Sequence, residues 1–276
     1  MMPGRGIGLV EAFQQLLPRS VRELFTLITQ LGDAWFLFGA VALLYWFGDR
    51  RRAAFALAAI LGSLSLTLAL KGLFALPRPP AAMRLGYATG YGFPSGHAIG
   101  STVAWGAFAL VFERGRHHVR AAVAAVAVGL VAASRVIIGV HYGVDVLVGV
   151  LVGAGFLAAL VALADWNPEY GFAVAAALAV AALVTYGIEP DTVATVGGVL
   201  GAGATWAWFE TVPRKPVSPA AAVAGLAGLG VLGYAGNALG LPLFAVFALN
   251  AVVPAALLAF PLAVERAKRA TSASPT

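Results

Sequence analysis

The chain has 276 residues, 61% of them apolar and only 11% charged, with a mean hydropathy of +0.88. Soluble domains carry about 25% charged residues, so a water-exposed globule is excluded. The absence of cysteine excludes disulfide scaffolds and thiolate chemistry. The net charge of +6 comes from short basic clusters between apolar runs, so no nucleic acid partner is expected.

The predicted elements are helices, and the fold class is an all-α, polytopic transmembrane bundle. Residues 1–23 read as an N-terminal interfacial segment. Its apolar stretch 7–17 is short and interrupted by Glu11, Gln14 and Gln15, which fits no cleavable signal peptide. Runs long enough to cross a bilayer follow at about 24–47, 53–70, 97–112, 119–139, 142–164, 171–187, 192–209, 218–235 and 243–263, which predicts about nine spans. Gly32-Asp33 interrupts the first run. The crossing therefore has an alternative start near Asp33, with 7–17 and 20–31 as amphipathic helices at the interface and Asp33 as a helix cap. Residues 165–263 form the additional C-terminal spans, rich in Ala, Val and Gly, where Asn250 is expected to hydrogen-bond between helices.

Orientation follows from the basic residues. Most of the 18 Lys and Arg, including Arg50 to Arg52, Arg114, Arg116, Arg120, Arg214, Lys215 and the tail at 264–276, fall on one side of the alternating runs. That side is expected to be cytoplasmic, in the cell membrane. His117 and His118 lie in the same solvated basic turn rather than in a metal site.

Several basic residues break this pattern. Charges in or near a bilayer are costly and mark functional sites. Lys71 closes the second run and precedes Pro77-Arg78-Pro79, Pro94-Ser95-Gly96-His97 opens the third, and Ser134-Arg135 precedes His141 and Asp145. One helix inward, a basic turn and one helix back return His97 and His141 to the same face. His141 and Asp145, four apart, share one side of a helix, where the carboxylate can hold one ring nitrogen and leave the other free. Pro94-Ser95-Gly96 at a helix start offers unpaired backbone N–H groups to an anion, and Lys71, Arg78 and Arg135 suit phosphate oxygens.

Taken together, these segments read K-x6-R-P, P-S-G-H and S-R-x5-H-x3-D. They resemble the type-2 phosphatidic acid phosphatase superfamily, which includes lipid-phosphate phosphatases, glucose-6-phosphatase and the vanadium haloperoxidases. The resemblance covers the core at 24–164, with motifs at 71–79, 94–97 and 134–145. It implies His141 as the nucleophile that forms a phosphohistidine, Asp145 as its orienting group and His97 as the acid and base. It also implies phosphate binding by Lys71, Arg78, Ser95, Gly96 and Arg135, inhibition by vanadate, and no metal or other cofactor. Arg84, Tyr87 and Tyr91 are placed to meet a head group or to anchor at the interface.

The expected function is hydrolysis of a lipid phosphate or diphosphate at the extracytoplasmic face. Phosphatidate, phosphatidylglycerophosphate and polyprenyl diphosphate are the candidates. The alternatives are a glucose-6-phosphatase-like hydrolase of a soluble sugar phosphate, a lipid phosphotransferase and a non-catalytic scaffold or transporter.

Overall fold

The computed structural model describes residues 7–86, 88–209 and 216–272. Arg5, Tyr87, Arg214 and Lys215 lie outside the described residues. A backbone in hydrocarbon must satisfy its polar groups within its own segment, and each apolar run accordingly forms a helix. The order is α1 (Ile7–Leu16), α2 (Arg19–Ile28), a 3-10 turn (Thr29–Gly32), α3 (Ala34–Phe47), α4 (Arg50–Phe74) and α5 (Gly96–Val111). These are followed by α6 (His117–Ile137), α7 (Gly143–Ala164), α8 (Pro168–Tyr186), α9 (Pro190–Trp208), α10 (Pro219–Ala238) and α11 (Leu243–Ser272), with no strand among the described residues. The starts have local causes. Asp49 accepts from the Arg52 N–H at the head of α4, and Asn167 and Ser218 cap α8 and α10 ahead of a proline at the first helical position.

Six helices (α4, α6, α7, α8, α10 and α11) are long and apolar enough to cross a membrane, and the protein is an integral membrane protein. A seventh crossing arises if α2, the turn and α3 form one span bent by 43°. All nine expected runs are helical, but α5, with 16 residues, is too short for that criterion and α9 does not meet it. Length and hydropathy therefore do not select nine crossings.

Helix α4 is the axis of the bundle. Residues 53–61 are buried on every side, among α3, α5, α8 and α9. Trp46 on α3 donates its indole N–H to the Leu257 carbonyl of α11 at 2.9 Å and stacks on Phe260, fastening the C-terminal helices to the core. The N-terminal segment does more than line an interface: Val10 of α1 is fully buried and packs with Ala98, Val136 and Val146 of α5, α6 and α7.

Two ends of the bundle can be told apart. At one, Arg52 pairs with Glu113 at 2.9 Å and lies over the Trp166 ring. The loop 75–95, the turn 138–142 and the α8–α9 turn occupy the other. α5 and α7 are held unusually close. A Cβ at Gly149 would stand 2.8 Å from the Ala98 Cβ, and one at Gly153 would stand 2.8 Å from the Ile99 carbonyl oxygen. This small-x-x-x-small face carries Asp145 up to the start of α5. Gly153→Ala is expected to cost about 1–3 kcal/mol through overpacking, read as a lower melting temperature in detergent. Gly129→Ala, where an added methyl meets nothing, should not lower it.

Candidate active site

The loop-bearing end contains a cavity of about 220 Å³ lined by Lys71, Arg78, Gly96, His97, Arg135 and His141, together with Ala88, Thr89, Tyr186 and Asp191. Six of the eight residues singled out from the sequence therefore share one space. The other two sit behind it. Ser95 is fully buried at the N-cap of α5, where its Oγ accepts from the Ala98 N–H at 3.4 Å. Asp145 is fully buried behind His141.

The backbone fixes these relations. Ser95 N–H donates to the Asp145 carbonyl at 3.0 Å, tying the α5 start to the α7 start. Gly96 follows at the first helical position, whose N–H has no intrahelical acceptor, and a Cβ there would press on Thr67 of α4. Arg78 is a staple. Its Nε donates to the Thr89 and Gly90 carbonyls, and its Nη1 donates to the Val140 carbonyl at 3.2 Å and lies 2.9 Å from His141 Nε2. Arg84 closes the same loop on itself through the Pro79 and Ala88 carbonyls rather than facing the cavity.

His141 precedes α7 instead of lying on it. Tyr142 is extended (φ −78°, ψ 158°), so the helical four-residue spacing does not bring the pair together. Asp145 does so by folding back at the third position of α7, where its Oδ2 accepts from the Tyr142 N–H at 3.0 Å and stands 3.5 Å from His141 Nδ1. An arginine can only donate, so its contact makes Nε2 the acceptor and leaves the proton on Nδ1, toward Asp145. Burial, and then the charges of Arg78, Arg135 and Lys71, hold the His141 imidazole well below the ordinary histidine range. The neutral ring, with Nε2 unprotonated, is the form a nucleophile needs.

The sequence reading of Asp33 needs correction. It stands at the N-cap position of α3 but its side chain makes no capping bond. Instead Oδ1 is 2.6 Å from His97 Nε2. Four residues earlier, Thr29 accepts from Arg135 Nη1 at 2.8 Å, and the Leu31 carbonyl accepts from the Trp105 indole at 3.1 Å. The 3-10 turn is thus a piece of the site. The signal was a Thr and an Asp four apart in a run otherwise fit to be a span. Arg135 Nε is buried with no hydrogen-bond partner among the described residues, a donor available to an anion. Tyr186 and Asp191 were also missed: they sit at helix ends, far from the motifs in sequence. Tyr91 stacks edge-on against Tyr186 at 5.7 Å. No group of three or more His, Asp or Glu side chains suited to a metal occurs among the described residues.

Residues 52–169 match the PAP2 superfamily. Among solved structures, a transmembrane PAP2-type phosphatidylglycerolphosphate phosphatase from Bacillus subtilis is similar (TM-score 0.51, 23% identity, covering 57% of this chain and 83% of that one). LpxE of Aquifex aeolicus is similar too (TM-score 0.50, 23% identity, covering 58% of this chain and 96% of that one). At that identity the likeness is one of fold. No curated protein matches the chain significantly in sequence.

By NMR of labelled histidine in the detergent-solubilised protein, the His141 ring should be neutral at pH 6.5 and should protonate only at lower pH. Replacing Arg78 with Gln removes a neighbouring cation and should move that titration upward.

Proposed function

Given that residues 52–169 belong to the PAP2 superfamily, whose members include phosphatases, we propose that this membrane protein hydrolyses a lipid phosphate monoester through a phosphohistidine on His141. The observation that carries the reading is the convergence of three cations, Lys71, Arg78 and Arg135, with the two imidazoles of His97 and His141 on one cavity.

The residues divide the work as follows. The phosphoryl oxygens take the donors of Lys71, Arg78, Arg135 and the Gly96 N–H, which spread the charge of the transfer. Arg78 exchanges its contact with His141 Nε2 for a phosphate oxygen, freeing the lone pair. Nε2 attacks phosphorus as the bond to the ester oxygen breaks. Asp145 compensates the charge gained by the ring, and His97 hands its proton to the departing alkoxide. His97 then takes a proton from water, the hydroxyl attacks phosphorus, and the N–P bond breaks to regenerate His141 and release phosphate. Asp33 holds His97 through Nε2, leaving Nδ1 for the proton transfers. Ser95 acts from behind the cavity, as the cap that aims Gly96 and His97.

The site lies at the end opposite the Arg52–Glu113 pair. With the arginine-rich end in the cytoplasm, this is the extracytoplasmic face of the cell membrane. A lipid substrate keeps its tail in the bilayer while the head enters. A soluble sugar phosphate is the alternative substrate. No step uses a metal, because the positive charge is supplied by Lys and Arg.

Purified protein in micelles should release phosphate from phosphatidate or phosphatidylglycerophosphate in preference to glucose 6-phosphate or a polyprenyl diphosphate, with vanadate competing. His141→Ala should lower the rate by roughly a thousandfold or more. Activity of that variant within tenfold of the wild type would remove the nucleophile assignment. Asp33→Asn should lower kcat by about tenfold to a hundredfold, below the roughly 10²–10⁴ that a general acid supplies. The loss should be smaller on p-nitrophenyl phosphate, whose leaving group needs no proton. Equal losses on both substrates would assign Asp33 a purely structural role.

A further inference from the structure

Two polar side chains on the cavity wall take no part in the chemistry above, and both lie beyond residue 169, where the family match ends. Tyr186 is the last residue of α8, and Asp191 is the second residue of α9. Their placement is built. At Gly72, next to Lys71, the backbone of α4 approaches that of Thr185 and Tyr186 so closely that a Cβ would run into it. Thr185 Oγ1 also donates to the Ala69 carbonyl at 2.9 Å. The chain then reverses at Gly187 (φ 96°), and the Glu189 N–H donates to Thr192 Oγ1, whose hydroxyl is shared between the Gly187 and Glu189 carbonyls. Pro190 stiffens the step. Asp191 is thereby fixed on the cavity wall, where its carboxylate faces the charge of Lys71 without a hydrogen bond or ion pair among the described residues. The Tyr186 hydroxyl lies against Gly90 in the outer loop, where a Cβ would collide with it.

A carboxylate only accepts, so a ligand meeting Asp191 must bring a donor. An ammonium group would bring one, but it would have to sit among Lys71, Arg78 and Arg135. A second phosphate would meet Asp191 as a like charge. A hydroxyl donates with neither penalty, and Tyr186 can accept from or donate to a second one. We propose that Asp191 and Tyr186 form a leaving-group subsite that selects phosphate monoesters whose alcohol carries a free hydroxyl beside the ester carbon, the chemistry of a glycerol phosphate head. The subsite rests on the phosphatase reading above. The donor can be lipid-borne or soluble, and the two sources share the same recognition.

The test uses the full-length protein in micelles and two matched pairs of substrates. Phosphatidylglycerophosphate and phosphatidate are lipids with and without the free hydroxyl. Glycerol 3-phosphate and n-propyl phosphate are their soluble counterparts. The wild type should prefer the hydroxyl-bearing member, and Asp191→Asn should reduce the ratio of kcat/KM within the pair about tenfold, with Tyr186→Phe reducing it less. Asp191→Glu should restore part of the ratio. Preference in the lipid pair assigns the subsite to a lipid head, and preference in the soluble pair alone assigns it to a free polyol phosphate. An acid that merely complements the N-terminus of α9 would change the melting temperature and leave the ratio alone, so an unchanged ratio overturns the subsite. If Asp191→Asn fails to fold, the ratio is read from Asp191→Glu and Tyr186→Phe, and no change in either overturns it equally. Phosphate release equal within each pair by the wild type overturns the subsite while keeping the phosphatase. No release from any of the four overturns the phosphatase reading, and the subsite with it.

Discussion

Three cations held around one small cavity at the end of a membrane bundle are the constraint on which the rest depends. An ion leaves water at a cost of several kcal/mol even after relaxation, and like charges add to it. Lys71, Arg78 and Arg135 are brought together against both terms. Arg78 is met by the carbonyls of Thr89, Gly90 and Val140, and Arg135 by Thr29. Asp33 and Asp145 stand one layer back, each against a histidine rather than against a cation. The remaining positive potential makes the cavity receptive to an anion and, after burial as the larger cause, helps to hold the His141 imidazole below the ordinary histidine range.

The two carboxylate–histidine pairs present different ring nitrogens to their carboxylates. His141 presents an unprotonated Nε2 because arginine occupies that side, and its Nδ1 proton faces Asp145 at ion-pair distance. His97 meets its carboxylate through Nε2 at 2.6 Å, so Nδ1 is the ring nitrogen that Asp33 does not engage. A carboxylate against one nitrogen fixes the orientation of each ring.

Chain segments outside the family match complete this core from both sides. The turn at 29–33 supplies Thr29 and Asp33, held by Arg135, Trp105 and His97. The α8–α9 turn supplies Tyr186 and Asp191, held by the close approach at Gly72. The first addition touches His97, and the second lines the cavity.

Much was legible in the amino-acid sequence. Hydropathy fixed the class, because a backbone in lipid has only its own segment in which to satisfy its hydrogen bonds, and eight of the nine apolar runs became single helices while the first broke at the 3-10 turn and Asp33. The motif spacings put His97, His141, Lys71, Arg78 and Arg135 at one end, since one helix away and one helix back separate the loop from Lys71 to His97 from Arg135 and His141. Tertiary structure decided what spacing does not encode. Asp33 reads as a cap because its neighbours in sequence form a helix start, yet its partner is 64 residues away. His141 and Asp145 meet through an extended residue and a helix turn, where periodicity suggested one continuous helix. Tyr186 and Asp191 carry no local signal at all. They reach the cavity because Gly72 lets two backbones close to a distance that any side chain would forbid. Local patterning sets which residues can be helical and which must be compensated, while the packing of helices distant in sequence selects the partner that compensates them.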